Sequence, residues 1–197
     1  MAKRARVWTG TEFVELASAQ TDLTAYSTTA QMDTAITAGV GLVPILTQTI
    51  GSAVSSVVVS NAFSATYDAY KIIISNGVSS ADGVLKLSLT GGTSVYSYSV
   101  PKTTYLSTNL AAAIGGPTET SWVVAGSSTT SRLSMNVDLL DPFLAKFTTY
   151  SGGYVSSIEA GAGGGIHKEA TSFTGFTITQ STGTITGGTI RVYGYKN

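Results

Sequence analysis

The sequence has no cysteine, one histidine and little charge. Without cysteine the chain can form neither a disulfide nor a thiolate zinc site, and a histidine-based metal site needs more nitrogen ligands than one. Charged residues make up 11% of the chain, against about 25% in an average soluble domain. The 11 basic and 11 acidic residues balance, which argues against the basic face of a nucleic-acid-binding protein. The composition therefore predicts no metal, no cofactor and no nucleic-acid partner, and it fits assembly in a reducing cytoplasm.

Long apolar runs are also missing. The longest, residues 39–46, contains Pro44 and is far shorter than the roughly 20 apolar residues of a membrane-spanning helix. The first ten residues are basic, but no apolar segment of the kind found in secretory signals follows them. We therefore expect no membrane span and no secretory signal peptide.

Serine, threonine and glycine must cover the surface that charge leaves bare. Threonine is a good strand former, whereas charge is what normally prevents exposed strand edges from pairing. A chain with few charges and a formal net charge of zero associates easily. This balance predicts a protein that packs beside copies of itself or beside other proteins.

From Leu42 onward the sequence shows strand and turn patterns. In residues 133–139 apolar side chains alternate with Ser, Asn and Asp, as in a strand with one face on a core. Near the end, the runs 176–178 and 190–192 flank Gly187-Gly188, which predicts a closing hairpin. Short strands separated by turn signals roughly every 8–12 residues predict an all-β fold. The expected architecture is an antiparallel, jelly-roll-like β-sandwich over residues 42–197.

Residues 1–41 are predicted to form a separate attachment and trimerisation segment. Apolar pairs that include Trp8 and Phe13 flank Gly10-Thr11, a pattern typical of a short hairpin. A lone hairpin is marginally stable in water, so Trp8 and Phe13 are candidates for docking on another surface. The alternative is a frayed terminus.

The run from Ala30 to Ala38 predicts a short α-helix, capped by Thr28 or Thr29. An isolated helix of this length is marginal, and association with its own copies in a small bundle would stabilise it. The alternative is a helix that lies on the sandwich of its own chain. The candidate residues for contacts between copies are Leu23, Tyr26, Met32 and Ile36.

The sequence contains no recognisable catalytic constellation, and we predict that the protein is not an enzyme. No serine in a nucleophile-elbow sequence is available to His167. His167 is expected to be exposed after a mobile glycine loop, residues 161–165. A phosphate-binding role for that loop would need a following helix, and a strand is predicted there instead.

Two further groups of residues have alternative interpretations. Paired carboxylates suffice for glycosidase chemistry, although strand and turn positions explain these side chains more simply. The carboxylates concerned are Asp138, Asp141, Glu119 and Glu159. Tyrosine rings at loop tips can stack on sugars, but the sequence does not distinguish such rings from those at a core edge or a subunit interface. The tyrosines concerned are Tyr96, Tyr98, Tyr105, Tyr150, Tyr154, Tyr193 and Tyr195.

Three stretches resemble a known class of protein. The opening RVWTGTEFVELA resembles a segment near the start of tailed-bacteriophage minor tail and fibre proteins. Residues 61–74 are similar to the first sandwich strands of such proteins, and residues 183–195 resemble their closing hairpin. The resemblance implies a homotrimeric virion protein, assembled in the host cytoplasm, that docks by its N-terminal part and displays a C-terminal β-sandwich outward.

The resemblance leaves three functions to compare. The first is a fibre or minor tail protein that binds a host-surface glycan. The second, for which the short helical shaft leaves room, is a capsid decoration or head-fibre protein with a purely structural role. The third is a polysaccharide-degrading enzyme, for which we expect no turnover. Position on the tail or the capsid surface is left open.

Overall fold

The structure, a computed structural model, describes residues 6–8, 10–11, 13–15, 41–106 and 110–196. The chain divides into two compact units, Met1–Val40 and Gly41–Asn197. All regular elements within the described residues are β-strands, and no helix there is long and apolar enough to cross a membrane. The α-helix predicted over Ala30–Ala38 lies outside the described residues.

The first unit contains strands β1 (Arg6–Trp8) and β2 (Phe13–Glu15), which pair antiparallel. Trp8 lies opposite Phe13 in this register. Gly10 has a φ of 95°, a left-handed conformation that glycine adopts without steric cost. The strands form the hairpin expected from the apolar pairs that flank Gly10-Thr11.

The second unit contains twelve strands, and every pairing among them is antiparallel. They are β3 (Leu42–Thr49), β4 (Ser56–Val59), β5 (Ala69–Ser79), β6 (Gly83–Leu89), β7 (Tyr96–Thr104), β8 (Ala111–Glu119), β9 (Trp122–Ser128), β10 (Leu133–Leu140), β11 (Thr148–Val155), β12 (Glu159–His167), β13 (Phe176–Gln180) and β14 (Ile185–Tyr195).

The strands form a large and a small group. The large sheet has the order β3-β14-β5-β10-β11-β12-β7-β8. The small sheet has the order β4-β13-β6-β9. The two are joined where β9 pairs with the start of β10, with Leu133 opposite Ser128. The small sheet therefore continues into the large one through a single hairpin.

Alternating side chains of the two sheets meet in one core. The Phe63 ring lies 4.8 Å from Tyr70 of the large sheet and 5.8 Å from Phe176 of the small sheet, between ring centroids. Trp122 of the small sheet lies 5.0 Å from Tyr96 of the large sheet. Burying each such side chain contributes roughly 1.5–3 kcal/mol, so contact between the sheets provides much of the stability.

The strand predicted over residues 133–139 is confirmed. Leu133, Met135, Val137 and Leu139 are all buried, whereas Ser134 and Asn136 are not. Period-two alternation determines which face lies on the core.

The predicted closing hairpin is wrong. β13 pairs with β4 and β6, while β14 pairs with β3 and β5. Gly187 and Gly188 lie within β14 and have φ values of 65° and 96°. Positive φ at a glycine suits an irregularity inside a strand as well as a turn, and here the two glycines adjoin an interruption in the pairing with β5.

The prediction of a mobile glycine loop is also wrong, because residues 161–165 belong to strand β12. A methyl group added at Gly163 would collide with the Ser99 carbonyl oxygen of the neighbouring strand. One added at Gly161 would lie 2.8 Å from the Tyr154 ring. The glycines are required by close packing around β12.

Candidate binding surface on the inserted hairpins

Two hairpins, β7–β8 and β11–β12, form the outer half of the large sheet. They pair with each other through β7 and β12, with Glu159 opposite Thr104. Tyr105, which follows β7, therefore lies beside the β11–β12 turn, and its N–H donates to the Ile158 carbonyl oxygen at 3.1 Å. We call this end of the sheet the hairpin tip and define it by Tyr105, Leu106, Leu110, Val155 and Ile158.

Ser156 organises the turn between β11 and β12. Its Oγ accepts hydrogen bonds from the N–H groups of Ile158, at 3.3 Å, and Glu159, at 3.1 Å. The Ser156 hydroxyl donates in turn to the Glu159 carbonyl oxygen at 3.0 Å. Serine side chains commonly stabilise turns through such bonds to nearby backbone groups. The turn is thereby held in one conformation.

Glu159 anchors the tip from beneath. Its residue is 7% exposed, its Oε2 lies 3.0 Å from Lys102 Nζ, and its Oε1 accepts a hydrogen bond from the Tyr154 hydroxyl at 3.0 Å. Burial, together with the Glu159 charge, raises the pKa of Tyr154, which keeps that hydroxyl protonated as a donor. The carboxylate is therefore engaged by two neighbours that belong to β7 and β11.

Tyr105 is the exposed aromatic side chain of the tip. Its ring is 54% exposed, while its hydroxyl donates to the carbonyl oxygens of Ser156 at 3.2 Å and Glu159 at 3.3 Å. Four other candidate tyrosines are buried: Tyr96, Tyr98, Tyr150 and Tyr154. Tyr193 and Tyr195 are half-buried. The structure thus singles out Tyr105 as a ring held in place with an accessible surface.

Apolar side chains surround Tyr105. Leu106 is fully exposed and Leu110 is 74% exposed. Val155 and Ile158 are each about half exposed. Beside them, a groove of about 570 Å³ runs over β10, β11 and β12. Its lining includes Ser134, Asn136, Gly153, Val155, Ala160 and Ala162. The tip therefore offers apolar contact next to a shallow groove with small side chains.

The expectation of an exposed His167 is wrong. Its side chain is fully buried, with its ring 4.2 Å from Tyr96 and 5.2 Å from Phe173, between centroids. Neither ring nitrogen has a hydrogen-bond partner, and Nε2 lies 3.7 Å from Glu169 Oε2. Burial lowers the pKa of His167, and the Glu169 charge opposes that shift. His167 is buried because it ends strand β12, which the sequence made look like a loop.

The candidate carboxylates lie in different places. Asp138 Oδ1 is 3.1 Å from Lys71 Nζ and also accepts a hydrogen bond from Tyr195. In register Asp138 lies across from Gly164 through Ser151. Glu159 is therefore displaced from Asp138 by roughly 16 Å along the strands, at about 3.3 Å per residue. Paired glycosidase carboxylates are separated by about 5–9.5 Å, so these two do not form such a pair.

The other two carboxylates belong to strand ends. Glu119 ends β8 opposite Tyr96, and Asp141 follows β10 with a φ of 60°. The Asp141 N–H donates to the Asp68 carbonyl oxygen at 2.7 Å. Within the described residues no three potential His, Asp or Glu ligands form a group that would hold a metal ion.

The docking and trimer residues remain predictions. Trp8 and Phe13 are opposite each other in the β1–β2 hairpin. Leu23, Tyr26, Met32 and Ile36 lie outside the described residues.

The chain matches no family model, no curated protein and no solved structure.

Sequence reasoning did not select the hairpin tip. Leu106, Leu110 and Ile158 stand in stretches with weak periodicity, so their exposure has no period-two signature. One signal was available in the sequence. Tyr105 follows a strand and precedes Leu106, whereas the other candidate tyrosines lie inside alternating strands, so Tyr105 could have been selected as the exposed ring.

Proposed function

We propose that this chain is a structural virion protein of a tailed bacteriophage, a trimeric fibre or minor tail protein that displays a β-sandwich and binds a host-surface glycan. The resemblance of residues 6–17, 61–74 and 183–195 to minor tail and fibre proteins supplies the phage assignment. The protein would act by binding, on the tail or capsid surface of the virion, after assembly in the host cytoplasm.

The observation that carries this proposal is the order of the strands. With the two inserted hairpins set aside, the sheets are β3-β14-β5-β10 and β4-β13-β6-β9. Successive strands change sheet at every step except from β6 to β9. This order supports a jelly-roll sandwich built from two Greek keys, an architecture found in viral capsid and lectin domains. The step from fold to function is an analogy.

The hairpin tip is where we place glycan contact. Aromatic faces bury large areas against ligands at low conformational cost, and sugar rings have apolar faces that stack on them. Tyr105 offers such a ring, with its hydroxyl already engaged by Ser156 and Glu159. Both inserted hairpins contribute to this end of the sheet, so the surface is formed by additions to the eight-stranded order.

Replacement of Tyr105 tests the glycan contact. Tyr105→Ala is expected to reduce binding to an array of bacterial surface polysaccharides by about tenfold, the scale of one lost aromatic contact. Phe147→Ala is the matched control, because Phe147 is a half-exposed aromatic residue that precedes β11 at its other end. Equal binding by wild type and Tyr105→Ala would contradict the placement.

The trimer is tested by light scattering on the purified chain. We expect three copies of the 20.2 kDa chain, held together through residues 1–41. A monomer mass at micromolar concentration would refute the trimer. Deletion of residues 1–20 is expected to prevent incorporation into particles, and normal incorporation of the truncated chain would refute docking through Trp8 and Phe13.

The alternative is a capsid decoration or head-fibre protein with a purely structural role. The exposed apolar side chains of the tip and of β8, where Ile114 is 74% exposed, would then contact neighbouring subunits of the shell. Cryo-electron microscopy of labelled particles separates the alternatives by position on the virion.

A further inference from the structure

A second groove lies at the opposite end of the inner strands from the β10–β11 connection. It has a volume of about 550 Å³ and is bounded by the C-terminal part of β5, the start of β14 and the turn between β9 and β10. Its lining includes Ser75, Asn76, Val78, Ser131, Arg132 and Thr186. We call it the Arg132 groove.

The two strongest hydrogen-bonding side chains of this groove are uncommitted. Arg132 and Asn76 are exposed, and neither side chain makes a hydrogen bond or ion pair with another described residue. The guanidinium has five N–H donors in a planar fork, and the Asn amide adds two more. Asp82, the acidic side chain beside the same turn, accepts a hydrogen bond from the Thr130 N–H at 3.1 Å and does not line the groove.

The hydroxyl groups of the groove are also arranged as donors. Ser75 Oγ accepts a hydrogen bond from Arg191 Nη1 at 3.2 Å, and Thr186 Oγ1 accepts one from the Ala53 N–H at 3.0 Å. Each hydroxyl accepts one hydrogen bond in this way and donates none to another described residue, so its hydrogen is available to a bound molecule. Among the described residues, the lining therefore combines one positive charge with several donors and includes no carboxylate.

The backbone that carries Arg132 is fixed before any ligand binds. The Arg132 N–H donates to Thr129 Oγ1 at 3.2 Å, and the Arg132 carbonyl oxygen accepts from the Thr129 N–H at 2.8 Å. A backbone that is already fixed loses less conformational entropy on binding than a flexible one. Val78, which is 39% exposed, adds an apolar patch to the same lining.

We propose that the Arg132 groove binds a carboxylate-bearing saccharide, with Arg132 paired to the carboxylate and Asn76, Ser75 and Thr186 donating to ring oxygens. A planar guanidinium matches a carboxylate through two parallel hydrogen bonds. The volume is in the range of ligand sites, about 300–1,000 Å³, and Val78 suits the apolar face of a sugar ring. This site is separate from the hairpin tip, and the choice of a saccharide over an acidic peptide rests on the proposed function.

The test uses the purified full chain and soluble probes. Calorimetric titration compares trigalacturonic acid with maltotriose, a neutral sugar of the same length. We expect the acidic trimer to bind, with affinity that falls as salt is raised, and maltotriose to show no binding. Amide chemical shifts are expected to change at Ser75, Asn76 and Thr186. Equal binding of the two sugars, binding of neither, or shift changes confined to other residues would overturn the proposal.

Variants distinguish the groove from general charge attraction. Arg132→Ala is expected to weaken binding of the acidic trimer about tenfold or more. Asn76→Gly, which tolerates the φ of 61° at this position, is expected to weaken it about threefold. Lys146→Ala removes the same charge from an exposed site in the β10–β11 connection and is expected to leave binding unchanged. An equal loss in Lys146→Ala and Arg132→Ala would overturn the proposal.

Two further arms separate the ligand class and the proposed function. Inorganic phosphate at the concentration of the trimer is expected not to displace it, and full displacement would reduce the site to a simple anion site and overturn the saccharide assignment. Tyr105→Ala is expected to retain binding of the acidic trimer. If the protein is a homotrimer and binds glycan at the hairpin tip but does not bind trigalacturonic acid, the groove proposal is refuted and the proposed function is not.

Discussion

The inner and outer halves of the large sheet fill the interior in different ways. In β5, β10 and β14 the buried face consists mainly of branched aliphatic side chains: Ile72, Ile74, Val137, Leu139, Ile190 and Val192. In β7, β11 and β12 it consists of aromatic rings laid on glycines. Tyr98 lies against Gly115, Tyr154 against Gly161, and Tyr150 with Trp122 against Gly165.

This difference shows two routes to close packing. Branched aliphatic side chains interdigitate, and a small change in the volume of one can be accommodated by shifts of its neighbours. A ring on a glycine fills its space with one large rigid group, so the missing Cβ is as important as the ring. Among the described residues, the buried polar side-chain atoms without partners also gather here: on Thr148, Tyr150 and His167 of the aromatic half, and on Trp122 of β9, which packs against its rings. We therefore expect the aromatic half to be the more sensitive to substitution.

The largest effect is expected for Trp122→Ala. Trp122 is fully buried between Tyr96 and Tyr150, and removal of its ring should lower the free energy of unfolding by about 3–5 kcal/mol. Its Nε1 has no hydrogen-bond partner, so the loss comes from packing. Denaturant unfolding measures the loss. In the aliphatic half, Ile72→Ala is the comparison, because it also truncates a fully buried side chain to alanine, and we expect a loss near the lower end of the usual range of about 2–5 kcal/mol. Equal losses would remove the contrast between the halves.

The next effect tests the glycines. In Gly163→Ala the new methyl group collides with backbone atoms of Ser99 and Val100, which rotamer changes cannot relieve. We expect a loss of about 1–3 kcal/mol in unfolding free energy, the usual cost of overpacking. Gly116→Ala is the matched control, because a Cβ there has no heavy atom within 4 Å. A loss in Gly116→Ala as large as in Gly163→Ala would show that the clash is not the cause.

The sequence predicted the buried faces of the aliphatic half better than those of the aromatic half, because the two halves are packed differently. The alternation of apolar and polar residues over 133–139 shows which face is buried, because these apolar side chains give a clear period-two signal. The apolar residues are Leu133, Met135, Val137 and Leu139. Gly163 and Gly165 carry no side chain and therefore give no alternation, so the sequence of β12 resembles that of a loop. Only the pairing of β12 with β7 and β11 shows that it is a strand. The position of Tyr105 and the groove around Arg132 depend on which strands are adjacent, and pairing over long separations, such as Ser75 with Thr189, leaves no local signal.

Glu159 tests whether the polar bracing of the aromatic half matters. Glu159→Gln keeps the shape but removes the charge that pairs with Lys102. We expect a loss of about 1–2 kcal/mol and faster hydrogen exchange at the Tyr105 amide, which bonds to Ile158 in the adjoining turn. In the aliphatic half, Asp138→Asn breaks the more exposed pair with Lys71 and is expected to cost under about 1 kcal/mol. Equal exchange rates in wild type and Glu159→Gln would show that the tip does not depend on this carboxylate.

The smallest effect concerns pH and His167. Burial lowers the pKa of His167 in the folded protein, while the Glu169 carboxylate and the Thr93 backbone oppose that shift; the rings of Tyr96 and Phe173 are its close neighbours. The unfolded chain, with an ordinary histidine pKa of about 6.5, therefore binds the proton more readily. Stability from neutral His167 is fully present above that pKa and declines as pH falls below it.

We expect the free energy of unfolding to fall by up to about 1 kcal/mol between pH 7.5 and 5.5, within the limit of about 1.4 kcal/mol per pH unit for one proton. Denaturant unfolding at each pH measures the decline. His167→Phe keeps an aromatic ring between Tyr96 and Phe173 and removes the titration, so its stability should change less over this interval. The substitution removes one titratable side chain, so the difference between the two curves reports on His167 together with its interaction with Glu169, 3.7 Å away. An identical slope in the variant would show that the unpartnered imidazole of the aromatic half is not what makes the fold sensitive to acid.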